Sequence, residues 1–158
     1  MGERAKYRPG QYLKIVFPDS DRRSYSIANA PHQNEVLTLH VRHVDGGRFT
    51  ALLSTLEVGM ELEVELPFGN VDVSTESPRP LLCVATGTGR APVKSLLDHL
   101  IFKRTERPVD LIWGVGRMND FYLPTALASW KRKLPSLRFF PVVRHVEPAS
   151  PGPQLRFW

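Results

Sequence analysis

Two glycine-bearing turns and one polar strand carry the residues that could do chemistry. In CVATGTGRAPVKSLL (Cys83 to Leu97), Gly87 and Gly89 stand between an apolar run and a helix-like run. Glycine there permits positive φ and lets backbone amides approach a ligand closely. A helix N-terminus adds unpaired N–H groups and partial positive charge, which favour phosphate. Thr88 lies within that turn, and Pro92 falls in the first helical turn, where its missing N–H costs little. The pattern is neither a G-x-G-x-x-G fingerprint nor a P-loop. A tight turn with no ligand remains its competing reading.

HVDGGRFTALL (His43 to Leu53) repeats the logic, with Gly46 and Gly47 before a short helix and Thr50 placed to donate a hydroxyl to phosphate. Taken alone, a strand-ending turn with an N-cap-like threonine explains it better. The third element is RRSYSIANAP (Arg22 to Pro31). On a regular strand Arg23, Tyr25, Ile27 and Asn29 share one face, and Ser24, Ser26, Ala28 and Ala30 the other. Arginine offers a fork to phosphate oxygens and tyrosine a ring to stack upon. A surface arginine over a half-buried tyrosine is the plainer alternative.

Two kinds of element must position these residues. From Tyr12 to Leu66, QYLKIVF, SYSIANA, EVLTLHVRHV and MELEVEL read as short strands separated by PDSD, PHQN and DGG, with VDVS as a short fifth. FTALLSTL interrupts them as a helix that stops before Gly59. From Arg79 the rhythm becomes strand, helix, strand, helix, strand. PLLCVAT is a strand expected to be buried on both faces, followed by the helix APVKSLLDHLIFKR, PVDLIWGVG, the helix YLPTALASWKRKL, and LRFFPVVRHV. This predicts parallel βαβ units with right-handed crossovers. STESPRP (Ser74 to Pro80) reads as a hinge.

Composition removes several classes. The net charge of +5 comes from scattered Lys and Arg with no nucleic-acid motif, so nucleic acid is not the expected partner. Cys83 is the single cysteine, so no internal disulfide forms, and a reducing, cytoplasmic setting is expected. It sits in an apolar run and reads as a buried small side chain. His40 and His43 would point to opposite faces of a strand, and no metal site is expected. No run approaches the ~18 apolar residues of a membrane span.

In series, RPGQY (Arg8 to Tyr12), RSYSIAN (Arg23 to Asn29), GGRFT (Gly46 to Thr50), LPFG (Leu66 to Gly69) and ATGTGRAP (Ala85 to Pro92) resemble the ferredoxin–NADP reductase superfamily. Within it they resemble the branch of NAD(P)H–flavin reductases and oxygenase reductases. The resemblance covers nearly the whole chain. It implies an antiparallel flavin-binding barrel, residues 1–75, lacking its first strand or strands. A doubly wound nicotinamide-binding α/β domain, residues 79–158, follows without its last βα units.

The resemblance also implies roles. Arg23 would contact flavin phosphate, Tyr25 would pack on the isoalloxazine ring, and Ser26 would hydrogen-bond near its reactive nitrogen, making Tyr25 and Ser26 the catalytic pair. Because alternation puts Ser26 opposite Tyr25, a strand end, bulge or backbone contact is expected there. Gly46, Gly47 and Thr50 would hold the FAD pyrophosphate, with His40, Val41 and Arg42 flanking the flavin tail. Gly87, Thr88, Gly89 and Pro92 would take NAD(P)H. Three departures stand out. Arg90 replaces a small or apolar residue, Arg117 arrives one place late, and Arg144 replaces a serine. Arg117 or Arg144 could meet a 2′-phosphate. The implied activity is hydride transfer from NAD(P)H to flavin and on to free flavin or an acceptor protein. A non-catalytic fragment or nucleotide-binding module is the alternative.

Overall fold

In the first half, alternation does the building. Leu13 and Ile15 turn inward from β1 (Tyr12–Val16), while Tyr12 and Lys14 are half-exposed. The computed structural model describes residues 4–71, 73–122 and 124–145. β1 pairs antiparallel with β2 (Arg22–Ser26) and with β3 (Val64–Phe68), giving the order β2-β1-β3. Leu13 lies opposite Tyr25 and Ile15 opposite Arg23. The short helix α1 (Arg48–Leu53) seats Phe49 in a core with Tyr7, Leu13, Ile15, Phe17 and Ile27. The sheet is three-stranded and does not close into a barrel.

Two expected strands are corrected. EVLTLHVRHV forms no strand; its ladder is a single bridge between Ile27 and Leu39. At its start the ladder is displaced by Asn29, which is buried. Its amide donates to the carbonyls of Gln33 and Val36 (2.6 and 2.9 Å) and accepts from the Thr38 amide (2.8 Å). A side chain thus satisfies backbone groups that a ladder would otherwise have used. Leu37, Leu39 and Val41 still face the core, as their alternation requires. VDVS is not a strand at Val71, Val73 or Ser74, and its Asp72 lies outside the described residues, as does the terminal EPASPGPQLRFW.

The second half follows the expected order. β4 (Leu81–Thr86), α2 (Arg90–Phe102), β5 (Val109–Val115), α3 (Pro124–Lys133) and β6 (Leu137–Val143) form a parallel sheet ordered β4-β5-β6. Leu96, Leu97 and Leu100 of α2 and Trp130 of α3 share one core with Cys83, Val109, Leu111 and Leu137. Both helices therefore cover the same sheet face. On the other, Leu82 and Val84 are 61% and 63% exposed and Phe140 and Val142 are exposed beside them. PLLCVAT is accordingly buried on one face, not on two. STESPRP is held at Ser74 and Arg79, whose carbonyls accept from Arg107 (2.9 and 2.8 Å).

α2 docks the halves together. The fully buried Ser95 hydroxyl donates to the Asn29 carbonyl (2.7 Å), which also accepts from the Tyr7 hydroxyl (3.1 Å). Lys94 reaches the Ala28 carbonyl (3.4 Å) while paired with Asp98 (2.8 Å). His32 stacks on Phe102 with centroids 4.0 Å apart. Farther along, His40 meets the Tyr122 hydroxyl at 3.0 Å.

Burial, reinforced by Lys94 and Arg90, pushes the His40 imidazole below its ordinary pKa. Burial, with Lys103 and His32 adding to it, does the same to His99. Both imidazoles bind a proton more weakly folded than unfolded, so unfolding takes up protons in acid. The stability they contribute is complete above the ordinary value of 6.5 and declines as pH falls below it. Melting temperature should therefore drop between pH 7 and pH 5, and a His40→Gln, His99→Gln double variant should show a flatter profile.

Candidate functional site

A cleft of about 1180 Å³ opens between the halves. Leu39 to Arg42 form its wall on the first half. Facing them are the carboxyl ends of the parallel strands: Thr86 to Thr88 after β4, Gly114 to Gly116 on and after β5, and Val142, Arg144 and His145 at β6. Ligands of open α/β sheets bind at these ends. Asp120 and Tyr122 complete the wall.

The turn after β4 is a single 3₁₀ turn, Gly87–Gly89, running directly into α2. Gly87 has φ +49°, and a Cβ built on Gly87 or Gly89 would meet no atom within 4 Å. Their outer sides face open space, so a ligand can come close to the backbone. The Trp113 indole donates to the Gly87 carbonyl (3.1 Å) and holds the turn from beneath. Size, position and bare backbone together fit a dinucleotide.

A second cluster lies on the first half. Asp21 accepts from Arg23 through one oxygen (2.7 Å) and from Arg48 through the other (2.9 Å). Arg48 also pairs with Asp19 (2.7 Å) and lies 4.3 Å over the Phe17 ring. One small anion thus sits between two guanidinium groups, one from the RSYSIAN strand and one from the GGRFT turn. All four side chains are partly exposed. Surface pairs of this kind are weak, so a phosphate can replace the carboxylate. Two guanidinium groups so placed fit a phosphate.

The expected site residues divide between these places. His40, Val41, Arg42, Gly87 and Thr88 line the cleft; Gly89 and Pro92 belong to the turn and the first turn of α2 but are not on its wall. Arg23, Tyr25, Ser26, Gly46, Gly47 and Thr50 lie around β2 and α1. Tyr25 is half-buried with its ring 4.9 Å from Phe49. Ser26 ends β2, opposite Tyr12, so the expected strand end is present. Thr50 differs from expectation. Its buried hydroxyl donates its proton to the Val44 and Gly47 carbonyls (2.8 and 2.9 Å), closing the turn instead of facing outward. A Cβ on Gly47 would fall 2.7 Å from that hydroxyl, which is why the position demands glycine.

Three contributors went unread in the sequence. Arg48 was hidden as the x of a glycine motif, Asp21 as a turn residue, and Tyr122 as the start of a helix. The one available signal was two acids, Asp19 and Asp21, beside Arg22 and Arg23. Of the two late arginines, Arg144 lines the cleft and Arg117 does not. No cluster among the described residues could hold a metal, and none of their helices is long and apolar enough to cross a membrane.

Comparison with known proteins agrees with this geometry. The model for the oxidoreductase FAD-binding domain matches residues 2–73, and that for the oxidoreductase NAD-binding domain matches residues 83–156. The chain is 46% identical over 143 residues to terephthalate 1,2-dioxygenase reductase component 1 of Comamonas sp, a match covering 90% of this chain and 43% of that protein. It is 34% identical over 144 residues to the NAD(P)H-flavin reductase of Vibrio harveyi, covering 87% and 60%. The crystal structure of the Amycolatopsis cytochrome P450 reductase GcoB superposes with a TM-score of 0.81 at 33% identity, covering 89% and 44%. The chain thus spans less than two thirds of the length of each. The two consecutive domain matches, on a fold that joins them across one cleft, show that this chain belongs to the ferredoxin–NADP reductase superfamily.

Proposed function

We propose that the chain is the flavin- and nicotinamide-binding part of an NAD(P)H-dependent flavoprotein oxidoreductase. The observation that carries this reading is the shared cleft, in which Leu39 to Arg42 face the bare glycine turn. The redox chemistry belongs to the cofactors, a nicotinamide that gives hydride and FAD that takes it. The protein's work is binding and orientation. Arg23 and Arg48 would hold the flavin phosphates in place of Asp21, assisted by the backbone of Gly46 and Gly47. Tyr25 and Ser26 would shape the surface beside the ring, and His40, Val41 and Arg42 would flank the flavin tail. Gly87, Thr88 and Gly89 would hold the dinucleotide through backbone amides.

The acceptor is read from two relatives, a dioxygenase reductase component and a flavin reductase. An acceptor protein or free flavin follows as the partner class. A reducing, cytoplasmic setting suits Cys83, whose thiol burial pushes up to about 11. A non-catalytic fragment or nucleotide-binding module, the alternative reading, shares the fold but predicts no colour change.

Two experiments test the proposal. The protein, purified with added FAD, is mixed anaerobically with NADH and then with NADPH. Flavin absorbance should bleach with one or both; a chain that keeps no FAD, or keeps it unbleached, sinks the oxidoreductase reading. The second compares FAD with riboflavin, which lacks phosphate. Arg23→Ala and Arg48→Ala should weaken FAD binding about tenfold or more, and Asp21→Asn should tighten it severalfold. Riboflavin affinity should not change; equal effects on both ligands would remove the phosphate assignment.

A further inference from the structure

Arg90, the first residue of α2, is 1% exposed. Its guanidinium carbon lies 4.2 Å from the Trp113 ring centre, 5.0 Å from that of Trp130 and 5.2 Å from that of Tyr122. Nη1 donates to the Tyr122 carbonyl, while Nε and Nη2 are buried without a partner. Burial pushes the pKa down to about 10, so the group stays charged at neutral pH. Asp98, the acid that acts on it, is already committed to the Trp130 indole (2.7 Å) and to Lys94 (2.8 Å).

Buried guanidinium groups normally pair with a carboxylate. A well-packed apolar side chain of similar length would fill this place at lower cost. What such a side chain lacks is the charge over the three rings and the bond to Tyr122. That bond joins two pieces of the cleft wall. Arg90 follows Gly89 directly, and its Trp113 neighbour holds the Gly87 carbonyl. On the far side, Tyr122 reaches across to His40 of the first half.

We propose that Arg90 is the positioning residue of the nicotinamide cleft: it fixes the separation between the glycine turn and Tyr122, and thereby sets the affinity for a pyridine dinucleotide. The assignment rests on the reading of the cleft as a nicotinamide site. Arg90 need not touch the ligand; it acts through the two walls it ties together. A side chain present only to fill the core would have no such selective effect.

The test uses the full chain loaded with FAD and titrates it calorimetrically with NAD⁺ and NADP⁺. Arg90→Met should hold its FAD affinity and melt no more than a few degrees lower, or higher, than the wild type. Its affinity for the dinucleotide that binds the wild type should fall about tenfold. Arg90→Lys, which keeps the charge but loses the fork, should lie between the two. Unchanged dinucleotide affinity in Arg90→Met overturns the proposal, as does a parallel loss of FAD and dinucleotide. Should Arg90→Met fail to fold, Arg90→Lys decides: a loss confined to the dinucleotide supports the proposal, and wild-type affinity overturns it. A wild-type chain that binds FAD but neither dinucleotide removes the nicotinamide reading, and the assignment with it.

Discussion

The buried hydrogen bond from Ser95 to the Asn29 carbonyl is the constraint on which the cleft depends. It joins the helix that begins at the glycine turn to the segment that follows the polar strand. Because Ser95 is fully buried, an unmet hydroxyl or carbonyl there would carry the whole desolvation cost. The same carbonyl accepts from Tyr7, so one backbone oxygen gathers three parts of the chain. With α2 anchored there, the glycine turn that leads into it and Leu39 to Arg42 become opposite walls of one cavity.

Much of this was legible. Four of the six strands, all three α-helices and the glycine turn follow from alternation, helical spacing and punctuation, whereas β2 ends at Ser26 although SYSIANA runs on to Ala30. β3 was legible only in part, since the alternation of MELEVEL begins at Met60 but its strand starts at Val64. EVLTLHVRHV was misread for a physical reason. Its period of two reports which residues face the core, and that is correct. Whether such a segment pairs depends on a neighbour, and Asn29 instead takes up its backbone groups at Val36 and Thr38. The face of PLLCVAT was misjudged likewise, because composition cannot say on which side helices will lie.

The site was harder to read than the fold. Glycines announce themselves where a side chain is excluded, by conformation at Gly87 with its positive φ and by space at Gly47. Charged residues carry no such mark. Asp21 lies two residues from Arg23 but 27 from Arg48, and only folding reveals that all three converge. Asn29 shows the opposite error: part of a polar face that invited a ligand, it is occupied with the backbone of its own loop.

The sheet face bearing Leu82, Val84, Phe140 and Val142 has a consequence for how the protein behaves in company. Oily, twisted surfaces of this kind adhere to one another when nothing opposes them. Here Asp110 and Arg138 stand paired at 2.6 Å on neighbouring strands. Any second surface laid flat on the sheet must either strip water from that pair or leave a gap around it. Stacking on this face therefore carries the cost of desolvating the pair as well as the gain of burying the apolar side chains.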